Sequence, residues 1–456
     1  VITGYEYGGE SLKKTSMRVR LGFGVGDLGG NMFFTIIGFY LLYYFTDVVK
    51  LPASLAGTAL MIGKIWDAVS DPVTGYLSDR TVSRWGRRRP YIFIGAIGCF
   101  FGMMLMFSVP QIKGTGPLFL VMTISFCFLG LAYTLVNIPY AALLPELSND
   151  FDERTVLTGF RMSFAVVGTL IGAGAVLPII NAFGGGREGW FAMGGITGTI
   201  IMASAMITVW AVREPKRTAP EKGAGFLKTY IDTLGMKLFL QALLPWVLFI
   251  GGTSVVQGSL LYFFKYIYGN EALFQGALLF LLVTSLLCIP LWVGISKRVG
   301  KKKAYMIGMG IVTLGVLFVS FGGAEGRVLY AFIVMAISGI GLSTHYVMPH
   351  SILPDVVEYD AIKNGIRREG VFSSLWTFGS KIGQAVALAI SGFLLDIFRY
   401  VPDVELEPIT RIGIRILCGP IPALFYISGI IILAFYPLTR DYYDKMMASR
   451  KIPGDL

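Results

Sequence analysis

Residues 64–80 read KIWDAVSDPVTGYLSDR, and residues 84–90, a few positions on, read RWGRRRP. The first stretch spaces Lys64, Asp67 and Asp71 three and four residues apart, on one face of a helix, within a run that is otherwise mainly apolar. A charge in the middle of a membrane helix costs about 2.5 kcal/mol or more on insertion scales, so these groups are expected to face a cavity or one another. The second stretch is a short basic loop, the feature that keeps a membrane loop on the cytoplasmic side. Together they predict a membrane span that carries chemistry and ends at the cytoplasmic surface.

Outward from this span, apolar stretches long enough to cross a bilayer recur from Leu21 to Leu438. They predict twelve spans, at 22–46, 54–79, 91–109, 117–145, 157–180, 190–211, 236–265, 272–295, 303–321, 327–353, 369–397 and 414–437. Hydrophobic residues make up 54% of the chain and charged ones 15%, against roughly 25% charged in soluble domains. The 57 glycines suit helices that must approach closely without a hydrophobic drive between them. The polar segment 1–20 carries Lys13, Lys14, Arg18 and Arg20 and does not read as a cleavable signal. The net charge of +11 sits in short loops, so membrane lipids rather than nucleic acid are the expected surroundings. Cys99, Cys127, Cys288 and Cys418 lie singly, without metal or disulfide spacing. No phosphate-binding glycine loop and no nucleophile–base spacing is present, so neither ATP drive nor an enzyme is expected, and no cofactor.

The polar run REPKRTAPEKG at 213–223 divides the chain. It predicts an all-α protein with an N-terminal tail (1–20), a six-helix half (21–211), a linker (212–235), a second half (236–440) and a C-terminal tail (441–456). GYLSDRTVSRWGRRRP after span two is echoed by VGISKRVGKKKAY after span eight, as expected for repeated halves with a solute site between them. Both termini are expected in the cytoplasm.

Asp67 and Asp71 resist joint ionisation unless a cation lies between them, which is what a sodium or proton coupling site needs. Ser70 and Thr134 are candidate neutral ligands, and Lys64 a candidate stand-in for the departed cation. A Lys/Asp network that only joins helices would use the same residues. Asp27 and Asn31 share a face of span one, Asn137 lies in YTLVNIPY, Arg161 in TGFRMSF and Lys381 in WTFGSKIGQA. Charges at this depth are candidate solute ligands. Arg161 and Lys381 come from opposite halves and could clamp an anion, although Arg161 could instead tether Asp27 and Lys381 could snorkel. Tyr346, Trp376 and Thr377 complete the candidate solute set, the two rings serving either stacking or core filling, while His345 and His350 read as packed and neutral, with titration as the alternative. Asp79, Arg80, Arg84, Arg87 and Arg88, with Asp355, Glu358, Arg367 and Arg368, are candidates for a cytoplasmic gate; in the stretch 354–370 an ordinary solvated loop is the alternative.

The order of KIWDAVSDP, RWGRRRP, AYTLVNIPY and LPDVVEYD resembles the glycoside-pentoside-hexuronide:cation symporter family of the major facilitator superfamily, from GFGVGD at 22–27 to YPLTRDYYD at 436–444. By this resemblance, Asp67 and Asp71 match the acids that bind the coupling cation in the melibiose-permease branch, with Ser70 in place of an asparagine and Thr134 at a matching threonine. The sugar acids of that branch are replaced by Gly29 and Asn137 and its stacking tryptophan by Ala141, whereas Arg161 and Lys381 are kept and Tyr346 replaces a tryptophan. Loss of two acids beside two kept bases implies an anionic solute. VNIPY, and GQA after the lysine, resemble the glucuronide-carrier branch, which implies sodium-coupled symport of a hexuronide or another acidic glycoside by a monomer in a bacterial-type inner membrane. FRMS, SILPDVVEYD and the span-eleven lysine also resemble sodium-coupled lysophosphatidylcholine symporters, so a lysophospholipid or other anion is an alternative. A solute receptor that does not transport is a third.

Overall fold

The computed structural model describes residues 15–108, 111–147, 151–214, 226–321, 328–364 and 369–437. The first half comprises α1 (Met17–Tyr43), α2 (Ala53–Arg80), α3 (Arg89–Met106), α4 (Thr115–Leu147), α5 (Phe151–Gly174) and α6 (Gly186–Ala211). The second comprises α7 (Lys237–Tyr262), α8 (Glu271–Leu287, continued as Ile289–Val299), α9 (Lys301–Phe321), α10 (Val328–Leu342, resumed as Met348–Asn364), α11 (Glu369–Ile397) and α12 (Pro408–Cys418, resumed as Pro420–Ala434). Ten of these spans are long and apolar enough to cross a bilayer unaided, and α8 qualifies as a pair of helices bent by 44°. The remaining one is α2, whose 28 residues are long enough but whose charges lower its hydropathy. The helix carrying the charged motif is thus the one that composition alone marks as exceptional. The linker is not wholly irregular, because Phe226–Leu234 forms a short helix whose Tyr230 hydroxyl meets Ser374 on α11 at 2.7 Å.

The halves repeat one another most closely where α1 and α7 end. LLYYF at 41–45 and LLYFF at 260–264 stand 219 positions apart, and both run into a π-helical turn, Tyr44–Val48 and Phe263–Ile267. The Val49 N–H donates to the Tyr44 carbonyl at 2.9 Å, and the Tyr268 N–H donates to that of Phe263 at 3.1 Å. Lys50 (φ 63°) and Gly269 (φ 66°) then turn the chain through the same left-handed conformation. Glycine adopts it freely and lysine does not. At Lys50 the side chain is held by an ion pair with Asp403 of the other half, which offsets that cost.

The halves meet mainly along α2 with α11, α1 with α7 and α5 with α8. At the α2–α11 crossing, Gly57 and Gly392 face one another so closely that a Cβ on Gly57 would lie 2.9 Å from the Gly392 Cα. Without a hydrophobic drive in lipid, such close approach is how two helices gain contact. Below the crossing, α2 and α11 continue antiparallel, which brings the middle of α11 opposite the acids of α2. Gly57→Leu is therefore expected to destabilise the detergent-purified protein by about 1–3 kcal/mol, the usual cost of overpacking; a thermal unfolding scan against the parent checks it.

Candidate functional site

Asp67 and Asp71 lie on successive turns of α2, and Thr134 of α4 bridges them, its hydroxyl 2.9 Å from Asp67 Oδ1 and 3.0 Å from Asp71 Oδ1. Having one proton, it donates to one carboxylate at a time. The Ser70 hydroxyl lies 3.3 Å from that of Thr134 and 3.2 Å from the Asp67 carbonyl. The other oxygen of each carboxylate faces Lys381 of α11, whose ammonium is 3.0 Å from Asp67 Oδ2 and hydrogen-bonded to Asp71 Oδ2. A primary ammonium thus occupies the place between two carboxylates, a threonine and a serine. It joins the two halves through the same contact.

The sequence points to Lys64 as the stand-in cation, whereas the structure puts Lys381 there. Lys64 instead lies with its ammonium 5.6 Å from the Phe34 ring centroid, on the wall of the central cavity. The reason is the α2–α11 crossing, which presents Lys381 from across the interface while Lys64 lies one turn away from the acids, beside α1. Arg161 is not joined with Lys381 either. It pairs with Asp27 through Nε (2.7 Å to Oδ2) and Nη2 (3.2 Å to Oδ1), and its guanidinium lies 4.8 Å from the Tyr140 ring centroid. A bidentate pair stacked on an aromatic face is held in a single geometry.

Between the halves lies a cavity of about 490 Å³. Equivalent positions of the repeat face it from α1 and α7: Asn31 and Ile250, Phe34 and Thr253, Thr35 and Ser254, Gly38 and Gln257, each pair 219 apart. Of the candidate solute residues, Asn31 and Tyr346 line it. Asn31 donates its amide to the Asp27 carbonyl at 2.9 Å, so the Asp27–Arg161 pair lies one turn behind the wall. Asn137 is half-buried on α4 away from the lining, Thr377 is exposed, and Trp376 is buried behind Trp246, its ring stacked at 5.7 Å. Single-residue reading missed Trp246, Gln257 and Gln384, which are lining residues. Gln257 and Gln384 are uncharged amides in apolar runs, and Trp246 is the counterpart of Asp27 in the repeat; aligning LLYYF with LLYFF would have found it. His345 packs 4.6 Å from both Trp246 and Phe249, but it also lines the cavity, and His350, read as packed, is exposed and lines it too.

The end of the cavity near residues 46–50 is sealed by a cluster that the sequence did not single out. Asp47, 5% exposed, accepts hydrogen bonds from Tyr266 (2.6 Å), Tyr400 (2.8 Å), Thr46 (2.7 Å) and Lys265 (3.1 Å). Lys265 also donates to the Tyr43 hydroxyl at 2.8 Å and pairs with Asp403 at 3.2 Å. Tyr266, Lys265, Tyr400 and Asp403 belong to the second half, so one buried carboxylate gathers donors from both.

At the opposite, basic end the ion pairs found for the candidate gate residues brace single halves. Arg88 pairs with Asp79 (3.2 Å) and Glu146 (2.9 Å), Arg87 with Glu146, and Lys301 with Asp355 (2.7 Å). Arg80 lies 4.0 Å from the Tyr76 ring centroid, and Arg84 and Glu358 are at the same end. Arg367 and Arg368 fall outside the described residues. The linker residue Glu214 accepts from the backbone N–H groups of Arg87 (2.8 Å), Arg88 (3.0 Å) and Arg89 (2.7 Å), capping the start of α3 with a carboxylate. Gly86 (φ 103°) makes room for it, since a Cβ there would lie 2.7 Å from Glu214 Oε1.

Two six-helix halves around a central cavity define a membrane transporter of the major facilitator type, and the D-xylose–proton symporter has the same fold, with a TM-score of 0.66 at 15% identity over 93% of this chain and 98% of that one. Residues 22–440 match the family described as MFS/sugar transport protein, and the chain belongs to it as a member of the glycoside-pentoside-hexuronide:cation symporters. It is similar to the isoprimeverose transporter of Lactiplantibacillus pentosus (29% identical, covering 84% of this chain and 81% of that protein). It is also similar to the glucuronide carrier protein homolog of Escherichia coli strain K12 (28%, covering 95% of each). Membrane transport, not enzymatic conversion, is accordingly the work of this protein.

Asp47→Ala removes the acceptor of several bonds, and since a hydrogen bond to a charged group contributes about 1.5–3 kcal/mol, labelling of Phe39→Cys, on the cavity wall, by an impermeant maleimide is expected to rise roughly tenfold or more. Asp403, on the loop outside the spans, is held below the usual carboxylate range foremost by the hydrogen bond from Lys50, and also by Lys265, against a partial burial that acts the other way. Its contribution to the seal is therefore complete above a pH of about 4 and is lost as the pH falls through the lower folded value. Relative to labelling of the same cysteine in denatured protein at each pH, which removes the loss of thiolate in acid, the labelling is expected to stay constant from a pH of about 8 down to about 5 and to increase only in stronger acid.

Proposed function

We propose that the protein carries out symport of a small anionic sugar, a hexuronide or related acidic glycoside, with a monovalent cation, sodium in the first place. The observation that carries this reading is the Lys381 ammonium held between Asp67 and Asp71. A hard cation takes oxygen ligands. The two carboxylates and the Thr134 and Ser70 hydroxyls supply them once the ammonium leaves. Sodium and Lys381 then compete for one place, and sodium entry releases a positive charge that an anionic solute can use. Lys64, already on the cavity wall, gives that solute a second positive partner. Each ligand thereby raises the affinity of the other by the same factor, which is the linkage symport needs.

The protein acts as a monomer among the lipids of a bacterial-type plasma membrane, with the basic loops and both termini in the cytoplasm. The Asp47 cluster then closes the outer side, and its opening alternates with opening at the basic end. The similarity to a glucuronide carrier homolog and an isoprimeverose transporter supports a sugar-type solute.

In proteoliposomes, an inward sodium gradient at fixed pH and voltage is expected to drive accumulation of a labelled glucuronide. In Asp71→Asn the inside-to-outside ratio is expected to fall to about one, because the gradient is no longer linked to the solute. Undiminished sodium-driven accumulation in that variant removes the cation assignment. Sodium-driven uptake of a lysophospholipid with none of the glucuronide removes the sugar.

A further inference from the structure

A second hollow, of about 520 Å³, opens at the basic end of the second half, where α7 begins and α10 and α12 finish. Lys237 and Gln241 line it from the start of α7, and Tyr359 and Lys363 from the end of α10. Phe435 and Pro437, just past α12, close its third side, and no carboxylate is among its lining residues. It is separate from the central cavity, with which it shares no lining residue.

The lysines around it are of two kinds. Lys301 is paired with Asp355 at 2.7 Å, and Lys302 donates to the carbonyls of Ala434 (2.6 Å) and Tyr436 (2.8 Å). Together with the Gln241 amide, which donates to the Phe435 carbonyl at 3.2 Å, Lys302 offsets the negative end of α12. Lys237 and Lys363, by contrast, have no ion-pair partner among the described residues, and the Lys363 ammonium lies 5.9 Å from the Tyr359 ring centroid. The start of α7 has no side-chain cap, so its first-turn N–H groups add partial positive charge on the same side. The hollow thus gathers like charges, which an anion between them would relieve.

The surface beside the hollow decides which anion. Ile427, Ile431 and Phe435 stand four residues apart on one face of α12, and all are exposed, as is Leu244 of α7, three positions on from Gln241. They form an apolar strip that runs from the rim toward the middle of the span, a surface for acyl chains. On the linker side, Ile231 and Leu234 of the short helix Phe226–Leu234 are exposed three residues apart, which gives that helix an apolar face for the membrane boundary. A soluble phosphate would use the lysines alone, whereas a lipid uses the lysines and the strip together.

We infer that this hollow binds an anionic phospholipid, its phosphate between Lys237 and Lys363 and its acyl chains along the α12 strip. Basic pockets between transmembrane helices suit such headgroups. Gln241 keeps an oxygen and a second N–H for headgroup hydroxyls, and the Tyr359 hydroxyl is beside it in the lining. The bound lipid ties the ends of α7, α10 and α12 together, and with them Gly235 and Met236 of the linker, which also line the hollow. The site does not depend on the identity of the solute or of the coupling ion.

The test is lipid titration of the delipidated, detergent-purified full chain, read as the rise in unfolding temperature; a ligand of the folded state stabilises by mass action, so the titration gives an apparent Kd. Phosphatidylglycerol is expected to raise the unfolding temperature, and phosphatidylcholine or inorganic phosphate at the same concentration and ionic strength to leave it unchanged. In Lys237→Gln/Lys363→Gln, phosphatidylglycerol is expected to bind roughly ten- to thirtyfold more weakly, the effect of losing two near-surface charges. Lys363→Gln alone is expected to weaken it about fivefold and gives the same reading should the double variant fold poorly. No rise with phosphatidylglycerol, or an equal rise in parent and variants, overturns the site. So does a variant that, without lipid, unfolds lower by the full amount the lipid adds to the parent, because the lysines then serve within the chain. An inorganic phosphate effect equal to that of phosphatidylglycerol overturns the assignment to a lipid.

Discussion

A primary ammonium between two carboxylates in the middle of a membrane protein is the interaction on which the rest of this structure depends. Asp67 and Asp71 cannot both remain charged at that depth without a cation, and Lys381 cannot be there without an acid. The three come from different halves, so the electrostatic requirement is also a mechanical one. Removing one partner of a buried pair typically costs about 3–5 kcal/mol, because the other charge is left uncompensated. In the proposed mechanism, exchanging the ammonium for a free cation avoids that cost and unties the halves at the same moment. The close Gly57–Gly392 crossing keeps α2 and α11 near enough for the contact to form.

The repeat explains why the contacts at the outer end are so regular. LLYYF and LLYFF end in the same π-turn and the same left-handed residue, and they bring Tyr43 and Tyr262 together with ring centroids 5.7 Å apart. Small departures from the repeat then carry the function. Asp47 stands where the second half has Tyr266, and the two are hydrogen-bonded across the interface. Asp27 stands where the second half has Trp246. The repeated scaffold thus carries an ion pair at one position and an aromatic stack at the equivalent one.

Much of this was legible in the sequence, for physical reasons that differ by residue. A carboxylate in an apolar run is conspicuous because the bilayer makes it costly, so Asp67, Asp71, Arg161 and Lys381 could be picked out one by one. The Asp27–Arg161 tether and the Thr134 bridge were among the readings, but that Lys381 meets the two acids was not, since pairing depends on how helices cross. That Lys381 rather than Lys64 meets the acids follows from two glycines far along the chain. Asp47 escaped notice because it sits at the end of a span, where a charge costs little and looks like an ordinary loop residue. Glu214 was read as part of a polar linker, although its carboxylate caps α3. Cavity-lining residues such as Leu281, Leu282, Val312 and Val316 are indistinguishable in sequence from lipid-facing or core side chains, because leucine and valine serve all three.

Competition between Lys381 and the proposed coupling cation for one place is tested by sodium binding to the purified protein and to Lys381→Ala, by calorimetry at fixed pH. Removing a competing positive charge beside two carboxylates is expected to tighten sodium binding by roughly tenfold or more in the variant, with solute no longer enhancing it. Weaker sodium binding in a folded Lys381→Ala protein would contradict the account, and would mean that the lysine holds the acids in place instead of standing in for the ion.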